Sequence, residues 1–463
     1  MKKDTIEFVI EKTAELLATV GVKVEDENVN KQLAEKGFDV DQTTGVVKIP
    51  TPLLENLLST VPKTIRLYHR DLERYVEFGG DKTYFSPSGF GPAVKDRATG
   101  ERRPSTEKDV EEFAMVQHHL PSLDVASLTI TATDLTEDAV DVAEFYHLLR
   151  CTDKPFIYKA VYEDSTDKLM EMAGLVVGGV EKLREKPTFT SLFCPTSPLL
   201  FTGVTIRSML KLASYGIPVL NLTMTLGGVT APVTVLGQIV QTNAEIISGI
   251  AIVQALYPGH PMFYGSSSTA MDMRTVVLSL GTPERPLIAE ACALLAKTYG
   301  IPSIISGISS DSKSYDEQCA FEKALTMMPL INKASLIFGM GGFDSSNTYS
   351  LPQLVIDNEF VSAARHYYEF DYGNTVEEEM AILRKDGAGT NFLKEKQTFT
   401  RCKNYWRSNL FTRGPYERWE RKNETLEKLA IAECEALLAK GIPPMEPVVA
   451  DQLRKLYEES TKR

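Results

Sequence analysis

Between Thr83 and Gly342 the chain alternates eight times between a short β-branched or apolar run, a polar or glycine-rich turn and a helix-length segment. The runs are Thr83–Ser86, Asp124–Thr131, Pro155–Lys159, Thr188–Cys194, Ile217–Thr225, Pro261–Ser266, Ile301–Gly307 and Ala334–Gly342. Strands separated by helical patterns make parallel β/α units, because a parallel partner is reached only through a long crossover. Eight such units predict a closed (β/α)8 TIM barrel, an α/β fold whose chemistry gathers where the strands end.

Composition narrows the class further. The 463 residues leave room for more than one domain, but barrels of this kind often exceed about 250 residues as a single unit. A formal charge of −12 argues against nucleic acid, which requires a clustered basic surface. Cysteines 151, 194, 292, 319, 402 and 434 form no CxxC pair and read as reduced thiols of a cytoplasmic protein. The first helix-like stretch, Asp4–Val20, is charged throughout, unlike a signal peptide. The longest strongly apolar stretch, Ile246–Tyr257, is shorter than the roughly 20 residues a bilayer requires. A cytoplasmic protein with no membrane partner is expected.

Residues 1–80 predict an α+β cap, with helices near Asp4–Val20 and Asp26–Lys36 and extended pieces at Val46–Ile49 and Thr64–Tyr68. The barrel takes residues 81–345. Within it, Thr106 followed by Asp109 fits an N-terminal capping box, and Ala139, Val142, Ala143, Tyr146 and Leu149 recur at helical spacing. Residues 346–463 predict a helical extension packed on the barrel. It opens at Ser350-Leu351-Pro352-Gln353, a hydroxyl cap with an early proline, and includes an amphipathic helix at Asn423–Lys440. That helix suits packing or self-association, so a homo-oligomer is one expectation.

The predicted strand ends are rich in hydroxyls and glycine, and none carries a histidine. With six histidines in the chain and no ligand-spaced His/Asp/Glu cluster, no catalytic zinc or iron centre is expected. Lys159 ends the third run and admits two readings: a desolvated Schiff-base lysine of an aldolase, or an ion-paired strand-end lysine. Gly339-Met340-Gly341-Gly342 could cradle a phosphate or simply make a tight turn, and Asp344 breaks the dinucleotide fingerprint. Tyr84, Phe85, Phe90, Phe193, Tyr264, Phe343 and Tyr349 fall at or beside strand ends. They are either core or rings that could enclose a quaternary ammonium ion.

Several segments, in order along nearly the whole chain, resemble trimethylamine:corrinoid methyltransferases. They are Val47–Pro50, Asp96–Ser105, Gly307–Lys313 with Asp316–Gln318 and Glu322–Leu325, Met340–Asp344 with Ser350–Asn358, and Gly389–Leu393 with Lys396–Thr398. The resemblance implies a TIM barrel, as the strand count does independently. It also implies methyl transfer to the Co(I) of a corrinoid carried by a separate cognate protein, with no tightly bound cofactor of this chain's own. In the archaeal trimethylamine enzymes the position matching Gly342 is pyrrolysine. Members without it whose activities are known act on quaternary amines: glycine betaine, proline betaine, carnitine or γ-butyrobetaine.

The expected donor is therefore a quaternary amine, glycine betaine first. Its leaving tertiary amine is neutral and needs no general acid, which suits a rim without histidine. Candidate catalytic positions are Gly342, the pyrrolysine-equivalent site, and Asp344. Candidate substrate-binding residues are Phe343, Phe193, Tyr264, Phe90 and Tyr349 for the ammonium, with Asn391, Gln397 and Ser266 for a carboxylate. An open cavity is expected beside Gly342. A Lys159 aldolase and a non-catalytic betaine-binding protein are the alternatives.

Overall fold

The computed structural model describes residues 1–87, 89–159, 162–373 and 376–461. Eight parallel strands form its centre: β1 (Tyr84–Pro87), β2 (Ala126–Ser127), β3 (Phe156–Tyr158), β4 (Phe189–Phe193), β5 (Val219–Thr223), β6 (Met262–Ser266), β7 (Ser303–Ser306) and β8 (Leu336–Met340). Seven fall inside the predicted runs, and β1 passes the end of its run, Thr83–Ser86, by one residue, Pro87. They pair in chain order from β2 to β8, and β8 returns to β1. The Asp124 and Val125 amides close the ring by donating to the Phe85 carbonyl, and a parallel bridge joins Gly91 to Ile130.

Period-two alternation within each strand sends one set of side chains to the axis and the other to the helices. Val125, Ile157, Leu220, Leu222, Phe263, Ile304, Leu336 and Phe338 form the axial set. Ile65, Leu67, Val76 and Phe78 join them from a hairpin, Ile65–Tyr68 with Tyr75–Phe78, which stoppers the end where the strands begin. The Phe78 ring stands edge-on to Phe263 at 5.1 Å and to Tyr84 at 5.4 Å. With one end sealed by apolar packing, the open face is the C-terminal one.

The helices start where the sequence signals place them. Thr106 and Asp109 exchange side-chain and backbone hydrogen bonds at the head of Glu107–His119. The Ser350 hydroxyl accepts from the Gln353 amide at the head of Leu351–Tyr368. In the N-terminal cap, helices Lys3–Thr19, Glu27–Glu35 and Thr51–Ser59 accompany a small sheet. Its outer strand, Leu200–Phe201, comes from the loop after β4, so cap and barrel share hydrogen bonds. Among the described residues one helix, Val235–Leu256, is long and apolar enough to cross a membrane, and 89% of its apolar window is buried inside the fold. The tail helices Leu426–Leu438 and Pro447–Thr461 pack on the outer helix layer, with Tyr457 stacked on Tyr146 at 4.4 Å.

Candidate active site at the barrel mouth

The turn after β8 is held from beneath by a buried ion pair. Lys323 Nζ lies 2.8 Å from Asp357 Oδ2, with both side chains fully buried. Asp357 also accepts from the Gly341 amide at 2.7 Å and from Gln353 Nε2 at 2.6 Å, while Lys323 donates to the Ile308 carbonyl. A buried pair is tolerated only when its remaining valences are satisfied in this way. The Gly341 amide is therefore spent inside the protein, and the phosphate-cradle reading of the glycines gives way to the tight turn.

Gly342–Phe343 then leads into a four-stranded sheet over the mouth, in the order Gly342–Phe343, Thr348–Tyr349, Ala93–Lys95, Arg102–Pro104. Between its first two strands Asp344, Ser345 and Ser346 all hold positive φ, of 51°, 53° and 65°. Three successive non-glycine residues in that region cost of order 1–3 kcal/mol each and persist only where neighbours enforce them. Here the Ser345 amide donates to the Ser310 carbonyl, its hydroxyl donates to Asp311, and the Asp344 amide donates to the Ser312 carbonyl.

This turn presents Tyr349 to Gly342. A Cβ at position 342 would meet the Tyr349 ring at 3.2 Å and its hydroxyl at 3.5 Å. The same ring lies so close to Gly89 and Gly91 that a Cβ at position 89 would fall 1.9 Å from the hydroxyl. The open space expected beside Gly342 is instead filled by one buried aromatic ring, that of Tyr349. Burial raises the Tyr349 hydroxyl above its ordinary pKa, so it stays protonated. Phe90, half-buried at φ 59°, sits between those two glycines.

Strand parity removes other members of the expected cage. Phe193 follows the axial Leu192, and Tyr264 lies between the axial Phe263 and Gly265, so both rings point outward into the helix layer. The Tyr264 hydroxyl donates to Asn243 Oδ1 at 3.0 Å. Ser266 shares that parity; its hydroxyl accepts from the Ser268 amide and bonds with Cys292 on the covering helix. Phe343 packs edge-on to Tyr315 at 5.0 Å, with Lys95 Nζ 5.7 Å from its ring centroid, so its cation is one of the protein's own. Asp344 is paired with Lys313 at 2.8 Å. Asn391 and Gln397 make their hydrogen bonds within the C-terminal segment, to the Leu393 amide and to Glu378. Neither is brought to the mouth.

Lys159 takes the ion-paired reading. Its Nζ lies 2.8 Å from Asp141 and 2.7 Å from Glu144. Burial works against its charge, but the two carboxylates more than offset this and raise its pKa. A Schiff-base nucleophile requires the opposite shift, which removes the aldolase alternative.

Arg285 is a mouth residue that the sequence reading misses. It sits in the first turn of helix Glu284–Tyr299, 1% exposed, and donates to the Ser267 carbonyl, the Ser267 hydroxyl and the Ser306 hydroxyl. Burial lowers its pKa to about 10, opposed by the charge of Asp311 and by Tyr349. An isolated arginine in a helical pattern carries no signal of this, because its neighbours come from β6, β7 and the β8 turn. The three-residue group Glu111, His147 and Cys151, with ligand atoms within 4.8 Å of one another, also escapes the sequence reading, which finds no such cluster. Its members come from two helices of the outer layer, Glu107–His119 and Glu137–Cys151.

A closed (β/α)8 barrel plugged at one end, with a bare turn, a buried ring and a buried guanidinium at the other, defines a TIM-barrel protein built to work at its C-terminal face. A family model described as trimethylamine methyltransferase (MTTB) matches residues 1–462, and the chain belongs to that family, in the branch without pyrrolysine. Trimethylamine methyltransferase MttB of Methanosarcina barkeri is 35% identical over 395 residues, 83% of this chain and 79% of that one. Trimethylamine methyltransferase MttB of Desulfitobacterium hafniense is 30% identical over 454 residues, 97% and 91% of the two chains. Glycine betaine methyltransferase of Desulfitobacterium hafniense is 28% identical over 472 residues, 100% and 97% of the two chains. Monomethylamine methyltransferase MtmB of Methanosarcina barkeri shares the fold, with a TM-score of 0.56 at 12% identity over 99% of this chain and 88% of its own.

Proposed function

We propose that this protein transfers a methyl group from a quaternary amine, glycine betaine first, to the Co(I) of a corrinoid borne by a separate cognate protein in the cytoplasm. The observation that carries this reading is the bare backbone at Gly342 faced by the Tyr349 ring. A permanent cation offers no lone pair for a covalent partner, and an aromatic ring holds it through its quadrupole at about 1–2 kcal/mol per desolvated contact. The whole-length similarity to a glycine betaine methyltransferase points the same way.

The corrinoid supplies one thing, a Co(I) nucleophile for in-line attack on a methyl carbon. Among the described residues the histidines make contacts away from the β8 turn, to Asp153, Gly441, Glu107, Ile217 and Phe370, so this chain is fitted to present the donor rather than to ligate cobalt. Tyr349 and Phe90 orient the ammonium, and Gly342 puts no side chain of its own between them and the methyl group. Asp344, neutralised in part by Lys313, adds weak attraction at the rim. Weak attraction suits the chemistry, since the positive charge disappears in the transition state and strong ground-state binding would raise the barrier. No side chain has to deliver a proton, and rate enhancement comes from positioning and water exclusion.

Purified protein, its cognate Co(I)-corrinoid protein and a panel of betaines test this directly. Loss of the Co(I) absorbance with at least one betaine is expected. Retention of that absorbance with every member, in a mixture that binds them, would leave a betaine-binding protein instead.

A further inference from the structure

The Arg285 guanidinium is fully buried, yet no carboxylate lies within 4 Å of it among the described residues. The carboxylate whose charge acts on it, Asp311, is occupied elsewhere: it accepts from the Ser279 hydroxyl, the Leu280 and Gly281 amides and the Ser345 hydroxyl. Those donors outweigh burial and hold Asp311 below its ordinary pKa, as a carboxylate already satisfied by dipoles. Among the described residues Arg285 bonds only to neutral oxygens of Ser267 and Ser306, and its buried Nε–H has no partner. Removing a charge from water without an opposite charge costs several kcal/mol, and a fork of N–H donors matches a carboxylate in both charge and shape. The position is specific. Arg285 and Tyr349 lie within electrostatic reach of each other, and the Tyr349 ring lines Gly342. One mouth thus joins an aromatic face suited to an ammonium with a buried cation that has no direct ion-pair partner among the described residues and suits an acid.

We propose that Arg285 anchors the carboxylate of a zwitterionic methyl donor, so that this chain selects betaines over quaternary amines that lack an acid group. This rests on reading the mouth as a methyl-donor site, and it replaces Asn391, Gln397 and Ser266 as carboxylate donors. Among quaternary amines, the selective feature becomes the acid rather than the size of the cation.

Two measurements on the full-length protein separate the outcomes. The first uses the wild type: calorimetric binding, and transfer to the cognate Co(I)-corrinoid protein, compared for glycine betaine, its methyl ester and choline. A charge-assisted hydrogen bond contributes about 1.5–3 kcal/mol, so a roughly 10- to 100-fold weaker binding of the ester and choline is expected. The second compares Arg285→Lys and Arg285→Gln, with circular dichroism to establish that each folds. Both are expected to raise KM for betaine more than for the ester, a split that a purely structural arginine would not produce. Equal use of betaine and its ester by the wild type would overturn the anchor while leaving methyl transfer standing. Tight, Arg285-dependent binding of betaine with no consumption of Co(I) would uphold the anchor and overturn the methyl-transfer reading. No measurable binding of betaine would overturn both.

Discussion

Gly342 is the residue on which the site turns, and its surroundings make the consequence of changing it specific. A Cβ there meets the fully buried Tyr349 ring at 3.2 Å, tighter than ordinary van der Waals contact, and the ring is itself wedged against Gly89 and Gly91. Overpacking of this kind typically costs 1–3 kcal/mol. Gly342→Ala is expected to lower stability by about 2 kcal/mol and turnover by more than tenfold while the protein remains folded, as read by thermal melting and Co(I) consumption. Unchanged turnover would remove Tyr349 from the site. Gly342 was legible in the sequence because a family pattern passes through it. Phe193, Tyr264 and Ser266 were misplaced for a physical reason: in fully buried strands both faces are apolar, so the run shows where a strand lies but hides which residues face inward. Arg285 left no trace at all, since nothing in a helix's own pattern shows that its first turn tips into a barrel.

The β8 turn and the helix after it form one unit joined by Lys323 and Asp357. Removing one partner of a fully buried pair strands the other, at a cost of about 3–5 kcal/mol. Lys323→Met is expected to destabilise by that amount and to lower turnover through loss of the Gly341–Gly342 geometry, measured by urea unfolding and kinetics. Lys323→Met combined with Asp357→Leu is expected to recover a large part of the stability. A single variant as stable as the wild type would mean that the pair does not hold the turn. The cap of helix Leu351–Tyr368 was readable because the Ser350 hydroxyl reaches the backbone amide three residues on, and that of helix Glu107–His119 because its hydroxyl–carboxylate box spans the same distance. Pairings across distance were not. The Tyr75–Phe78 strand of the plugging hairpin, the sheet over the mouth and the Leu200–Phe201 addition to the cap depend on partners far away in the chain.

At the scale of the molecule, the barrel's eight-fold rhythm survives in the sequence because each β/α unit is local, whereas its sealed end depends on long-range burial. That end also carries a pH dependence. His260, buried beside the start of β6, bonds through Nε2 to the Ile217 carbonyl, and burial lowers its pKa to about 4. The folded protein therefore binds fewer protons than the unfolded chain between about pH 6.5 and 4. Stability contributed by neutral His260 is complete above pH 6.5 and is lost as pH falls through that window, by up to about 3 kcal/mol. Urea unfolding at pH 7, 5.5 and 4 is expected to show this fall, with a shallower one in His260→Asn; equal slopes would contradict it. The methyl-donor site lies at the opposite end. A crystal structure with glycine betaine tests it most directly: the trimethylammonium group should lie within about 6 Å of the Tyr349 ring centroid, beside Gly342 and with its carboxylate toward Arg285. Betaine found elsewhere with the mouth closed over by Tyr349 would contradict the account.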